Sequence, residues 1–187
     1  MNILYKVLRA SIRMPPAYYW VAIGIGILLL FALRRKSVGK RFAIAILVAY
    51  LFLLLSSTVL KRRTHTRYML QLIPFRAVRF ILRNGFRRSK YQISQVLLNI
   101  LLLSPVGFLM PAFVKKRRWV ILFGFGFSLF IEVSQLLLKR GYFEVDDILN
   151  NVIGVIISCG IYTMIEKGIS LMLRRQSGDE GSSYADK

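Results

Sequence analysis

Histidine and cysteine are almost missing from this 187-residue chain, which has one of each, His65 and Cys159. A single cysteine rules out an internal disulfide and a thiolate metal cluster, and Cys159 lies in the middle of an apolar run, not near the start where a lipid-attachment cysteine is expected. His65 stands among basic residues in "KRRTHTRY", the setting of a solvated loop histidine rather than a catalytic one. Acidic residues are scarce as well, 8 against 28 Lys and Arg, which leaves a formal net charge of +20. Missing too is any polar stretch long enough to fold as a separate soluble domain.

What is present is apolar. Hydrophobic residues make up 56% of the chain, and they gather into five runs: Ala17–Leu33, Phe42–Leu60, Ile93–Val114, Trp119–Leu138 and Ile148–Met172. A helix needs roughly 20 apolar residues to cross a bilayer, so the expected fold is an all-α transmembrane bundle of about five spans. Residues 1–16 form a basic N-terminal segment, 17–173 a single membrane domain, and 174–187 a polar tail expected to be disordered. The first run follows a basic segment as a signal peptide's core would. It is long for that role, is followed by Arg34, Arg35 and Lys36, and lacks a small-residue cleavage site, so a retained helix is expected.

The Lys and Arg residues sit in the connections between runs, where they fit anionic-lipid contacts and topology signals better than nucleic acid. Their numbers divide almost evenly between the two sides of a five-span protein. The short dense clusters "RRKSVGKR" and "KKRR" share one side, which the positive-inside rule makes cytoplasmic. The long connection Lys61–Tyr91, with ten basic residues and no acid, then faces outward. Within it, "IPFRAVRFILRNGFRR" predicts a helix that starts near Pro74 and stops at Asn84-Gly85. Arg76, Arg79 and Arg83 share one face of it against Phe75, Val78 and Leu82. Such a basic amphipathic helix lies in the membrane interface.

Four of the eight acids, Glu132, Glu144, Asp146 and Asp147, fall within sixteen positions. Glu132 lies inside an apolar run, where a charged side chain costs on the order of 2.5–3.5 kcal/mol on insertion scales. Such a residue faces the bundle interior and marks a functional candidate. Polar residues recur at helical spacing in three runs: Gln92, Gln95 and Asn99; Ser128, Glu132, Gln135 and Lys139; Asp147, Asn151, Gly154 and Ser158. The third run begins, the fourth ends and the fifth begins on one side, so the three stripes converge at one end of the bundle. Ser128, Gly154 and Ser158 are expected to serve helix packing, and Pro105 with Gly107 to kink the third span. Asp146-Asp147 lacks a further acid at the spacing of a divalent-metal site, so neither metal nor cofactor is expected.

These residues resemble the VanZ family of bacterial membrane proteins, named for a glycopeptide-resistance accessory protein. The resemblance runs from Leu70 to Gly154 through "LQLIPF", then "NILLLSPVGFLMP", then "EVSQLLLKRGYFEVDDILNNVIG". Gln71 departs from it, standing where an Asn is more usual before the Pro-Phe pair. The resemblance implies a multi-pass protein of the bacterial plasma membrane and, for some members, reduced sensitivity to teicoplanin-type lipoglycopeptides. Carried over by match, Asn99, Glu132, Gln135, Arg140, Asp146, Asp147 and Asn151 form an expected polar pocket, with Pro74, Phe75, Arg76, Arg79 and Arg83 at its rim. The expected partners are membrane lipids, anionic ones above all, and a cell-wall precursor or glycopeptide. Binding of a polar headgroup or peptide stands first among the functions. An intramembrane enzyme acting on a lipid-linked envelope substrate and a small proton-coupled transporter stay open as alternatives.

Overall fold

The computed structural model describes residues 14–60 and 66–183, with side chains to residue 173. The basic segment before residue 14, His65 and residues 184–187 lie outside the described residues. Helix α1 (Pro16–Ala32) opens with proline at its first turn, where the missing N–H has no intrahelical partner to lose. It packs against α2 (Val38–Leu55). A π-helical turn, Ser56–Leu60, extends α2, and the Ser56 and Thr58 hydroxyls bond back to the carbonyls of Phe52 and Leu54 there.

A short strand, β1 (Met69–Gln71), precedes the basic helix α3 (Arg76–Arg88). Within α3 the helical backbone breaks at Gly85, whose φ of 73° suits glycine, so the Asn84-Gly85 stop lies where the spacing predicts it. The third apolar run folds as α4 (Lys90–Leu102) and α5 (Ser104–Leu109), separated at Leu103 just ahead of Pro105. The proline kink expected there is present, and the Tyr50 hydroxyl donates to the Leu102 carbonyl at 2.5 Å. Helix α6 (Arg117–Leu137), strand β2 (Tyr142–Glu144) and the long helix α7 (Val145–Ser183) complete the chain.

Among the described residues, four segments are long and apolar enough to cross a membrane: Val38–Leu60, Lys90–Ala112, Arg117–Leu137 and Val145–Leu173. Helix α1, with 17 residues, sits at the lower end of the spanning range. Trp20, Phe31, Leu101 and Met164 are among many large apolar side chains left uncovered by protein. In a soluble protein so much apolar surface is a liability; on helices of this length it is the surface that meets lipid.

Helix α7 is the packing centre, lying against α4, α5 and α6. Close approach requires glycine here: a Cβ on Gly154 would lie 1.8 Å from the Ile100 carbonyl oxygen, and one on Gly107 2.2 Å from that of Val155. The interior behind these contacts is apolar, with Leu103, Val106, Val120, Ile131 and Val155 fully buried. At the end of the bundle where α6 stops and α4 and α7 start, β1 and β2 pair in parallel, with Gln71 opposite Glu144. This two-stranded ribbon is the one addition to an otherwise helical fold among the described residues.

Candidate functional site at one end of the bundle

Helix α6 ends in a left-handed turn at Lys139, φ 53°. The Lys139 N–H bonds to the Leu136 carbonyl and the Arg140 N–H to that of Gln135, the paired bonds of a Schellman closure. That turn sends the chain into β2. It also points the Arg140 guanidinium at the end of the second span, where Nη1 donates to the carbonyls of Val59 (3.2 Å) and Leu60 (2.6 Å). Glu132, only 2% exposed, accepts the Glu144 N–H at 2.9 Å. The buried carboxylate therefore fastens β2 to α6.

The two adjacent aspartates divide their work. Asp146 receives the Phe75 N–H on Oδ1 and the Ala77 N–H, at 3.1 Å, on Oδ2. A carboxylate at the N-terminus of α3 satisfies donors that the helix leaves orphaned and meets the positive end of its dipole. It also steadies Phe75 in the left-handed backbone region, φ 58°, which side-chain-bearing residues rarely adopt. Asp147, on the neighbouring face of α7, accepts a hydrogen bond from the Asn99 amide of α4. One turn deeper, the buried Asn151 donates to Ser128 at 2.8 Å, so Ser128 joins α6 to α7 as its packing role required. Gln135 is buried on α6 one turn after Glu132.

The candidate residues thus gather at one end of the bundle, but they do not all line the same space. A cleft of about 560 Å³ opens between α3, the ribbon and the starts of α4 and α7. Arg76, Asp146 and Asp147 line it, beside Gln71, Phe80, Tyr91, Gln92, Gln95, Tyr142, Glu144 and Asn150. Glu132, Gln135, Arg140, Asn99 and Asn151 are not part of that lining; Glu132, Arg140, Asn99 and Asn151 hold the elements that form the walls, and Gln135 is buried on α6. Pro74 and Phe75 make the turn into α3, and Arg79 and Arg83 lie on its exposed side. Gln92 and Gln95 belong to a polar stripe visible in the sequence. Phe80, Tyr91, Tyr142 and Asn150 carry no such periodic mark, and only the fold brings them to the cleft.

Arg76 donates through Nη1 to the Gln71 side-chain oxygen, which ties the start of α3 to β1. Arg79 turns back onto the same turn, with Nη2 2.5 Å from the Pro74 carbonyl and Nε 3.4 Å from that of Phe75. At the opposite end of the bundle, Arg117 pairs with Glu166 at 2.5 Å and lies over the Tyr162 ring. That pair joins the start of α6 to α7 far from the cleft.

Long apolar helices around an apolar core cluster, with a group of polar and charged side chains gathered at one end, define an α-helical membrane protein. The VanZ/LLP1 family profile matches residues 41–166, a span that runs from α2 into the membrane-crossing part of α7 and contains every element around the cleft. The chain belongs to the VanZ/LLP1 family. No curated protein and no solved structure matches it.

Proposed function

We propose that this chain is a multi-pass protein of the bacterial plasma membrane whose cleft binds the polar headgroup or peptide portion of an envelope ligand. Through that ligand it lowers sensitivity to teicoplanin-type lipoglycopeptides. The observation that carries the proposal is the cleft itself. Its volume of about 560 Å³ lies within the range of small-molecule sites. Its walls combine side-chain amides, carboxylates, one guanidinium and three aromatic rings at the end of an apolar bundle. Amides donate and accept at once, and aromatic rings cover the apolar faces of a polar ligand.

Glu132 is the group that catalysis or proton relay would use. It accepts the Glu144 N–H behind the cleft rather than lining it, so binding is the reading that the geometry supports best. The test replaces Asp147, which lines the cleft, by Asn in a strain whose lipoglycopeptide resistance depends on this protein. Resistance is expected to fall to that of the deletion strain while the amount of protein in the membrane fraction stays unchanged. Full resistance in Asp147→Asn together with Gln92→Leu/Gln95→Leu would remove the cleft from the function.

A further inference from the structure

We propose that the cleft is half of a bipartite site for a phosphate-bearing membrane amphiphile. The phosphate lies in an arginine groove beside the cleft, and the uncharged polar head extends into the cleft. The inference rests on the cleft-binding proposal and names the chemistry of its ligand.

The groove is a second cavity, about 350 Å³, lined by Ile73, Arg76, Arg79, Phe80, Arg83 and Asn84. Arg76 and Phe80 also line the cleft, so these two side chains form a wall that the two cavities share. Among the described residues no acid lines the groove, whereas Glu144, Asp146 and Asp147 line the cleft. One ligand that fills both must therefore carry its anionic group on the groove side.

Phosphate is the anion that the groove fits. Arg76, Arg79 and Arg83, spaced by three and four residues, share one face of α3, and guanidinium forks bind phosphate oxygens through paired N–H donors. The bonds from Arg76 to Gln71 and from Arg79 to Pro74 and Phe75 orient two of these groups. A guanidinium has five N–H donors, more than those bonds consume. The N-terminus of α3 is taken by Asp146, so side chains and not the helix end would hold the anion.

The two neighbours of the groove define the rest of the ligand. Leu82 and Phe86 on α3 are 79% and 76% exposed, and a basic helix with such an uncovered apolar side lies along the bilayer interface. The phosphate therefore sits at the depth of a lipid headgroup, with its tail in the bilayer. In the cleft, Gln71, Gln92, Gln95 and Asn150 offer amides suited to hydroxyl or amide groups, and Glu144 and Asp147 disfavour a second anion there.

The experiment uses the full chain in detergent micelles and three probes that share one diacylglycerol tail. Phosphatidylinositol has a phosphodiester and a hydroxylated head, phosphatidylmethanol the phosphodiester alone, and glucosyldiacylglycerol a hydroxylated head alone. Phosphatidylinositol is expected to bind about tenfold more tightly, or better, than either of the others, a difference readily resolved in Kd. Arg79→Gln/Arg83→Gln should reduce it to the level of glucosyldiacylglycerol while leaving glucosyldiacylglycerol binding unchanged, which also reports that the variant is folded. Gln92→Leu/Gln95→Leu should reduce it to the level of phosphatidylmethanol.

Equal binding of phosphatidylinositol and glucosyldiacylglycerol, indifferent to the arginine change, would overturn the bipartite site and leave the cleft-binding proposal standing. Equal binding of phosphatidylinositol and phosphatidylmethanol, indifferent to the glutamine change, would overturn both. Displacement of the lipid by inorganic phosphate at comparable concentration would overturn the amphiphile in favour of a free anion.

Discussion

At Asp146 one carboxylate does the work of two. Its oxygens receive the N–H groups of Phe75 and Ala77, residues roughly seventy positions away in sequence, and so connect the start of α7 to the start of α3. The turn it closes contains a left-handed Phe75, a conformation that costs roughly 1–2 kcal/mol for a residue with a Cβ. Replacing the cap should let that turn relax. Asp146→Ala is expected to lower stability by about 1–2 kcal/mol, the upper part of the range for lost helix caps. Amide exchange should accelerate first across residues 75–80. Asp146→Asn keeps one accepting oxygen and should recover part of that protection. Hydrogen exchange in detergent reads both, and unchanged protection at 75–80 in Asp146→Ala would show that α3 is held in place by other contacts.

Among the elements, the α4–α7 contact sets how closely the helices around the cleft approach. Gly154 lies against the Ile100 backbone, and backbone cannot move aside as a flexible side chain can. Gly154→Ala should force the helices apart, with an overpacking cost of about 1–3 kcal/mol. For a chain of this length that corresponds to a fall in Tm of roughly 2–12 °C. Gly160→Ala, on the same helix but facing open space, should leave Tm unchanged or raise it slightly, because alanine is the better helix former, and an equal loss in both variants would show that the Ile100 contact does not set the cost.

The same elements show what the sequence could reveal. The positions of the apolar helices, the Pro105 kink, the basic helix and its glycine stop, and the converging stripes were legible, although the first run folds as a 17-residue helix, shorter than the four that can span a membrane. Each follows from local composition or from a period of three to four residues. The parallel ribbon was not, because strands of three residues carry no measurable alternation and Met69–Gln71 meets Tyr142–Glu144 only through the tertiary fold. The separate duties of the acids were hidden for the same reason. Spacing brings Glu132, Asp146 and Asp147 to one end, but which donor each accepts depends on a strand and a helix turn from other parts of the chain.

At the scale of the whole molecule, the direction in which the cleft faces decides which ligands reach it. The ends of the bundle differ in kind: one carries the cleft, the ribbon and the arginines of α3, the other the short basic connections around Arg34–Arg41 and Lys115–Arg118. Charge in short connections next to a span directs orientation more strongly than charge in a long one, so the cleft end should face outward despite its arginines. Arg88, exposed at the end of α3, and Lys116, exposed before α6, mark the two ends. With Cys159→Ser removing the one native thiol, Arg88→Cys is expected to react with a membrane-impermeant maleimide on intact cells, and Lys116→Cys only after permeabilisation. That pattern places the cleft where a lipoglycopeptide or an outer-leaflet lipid can enter it. The reverse pattern would place it in the cytoplasm, rule out direct interception of an external drug, and leave lipids of the inner leaflet as the ligands that α3 and the cleft can reach.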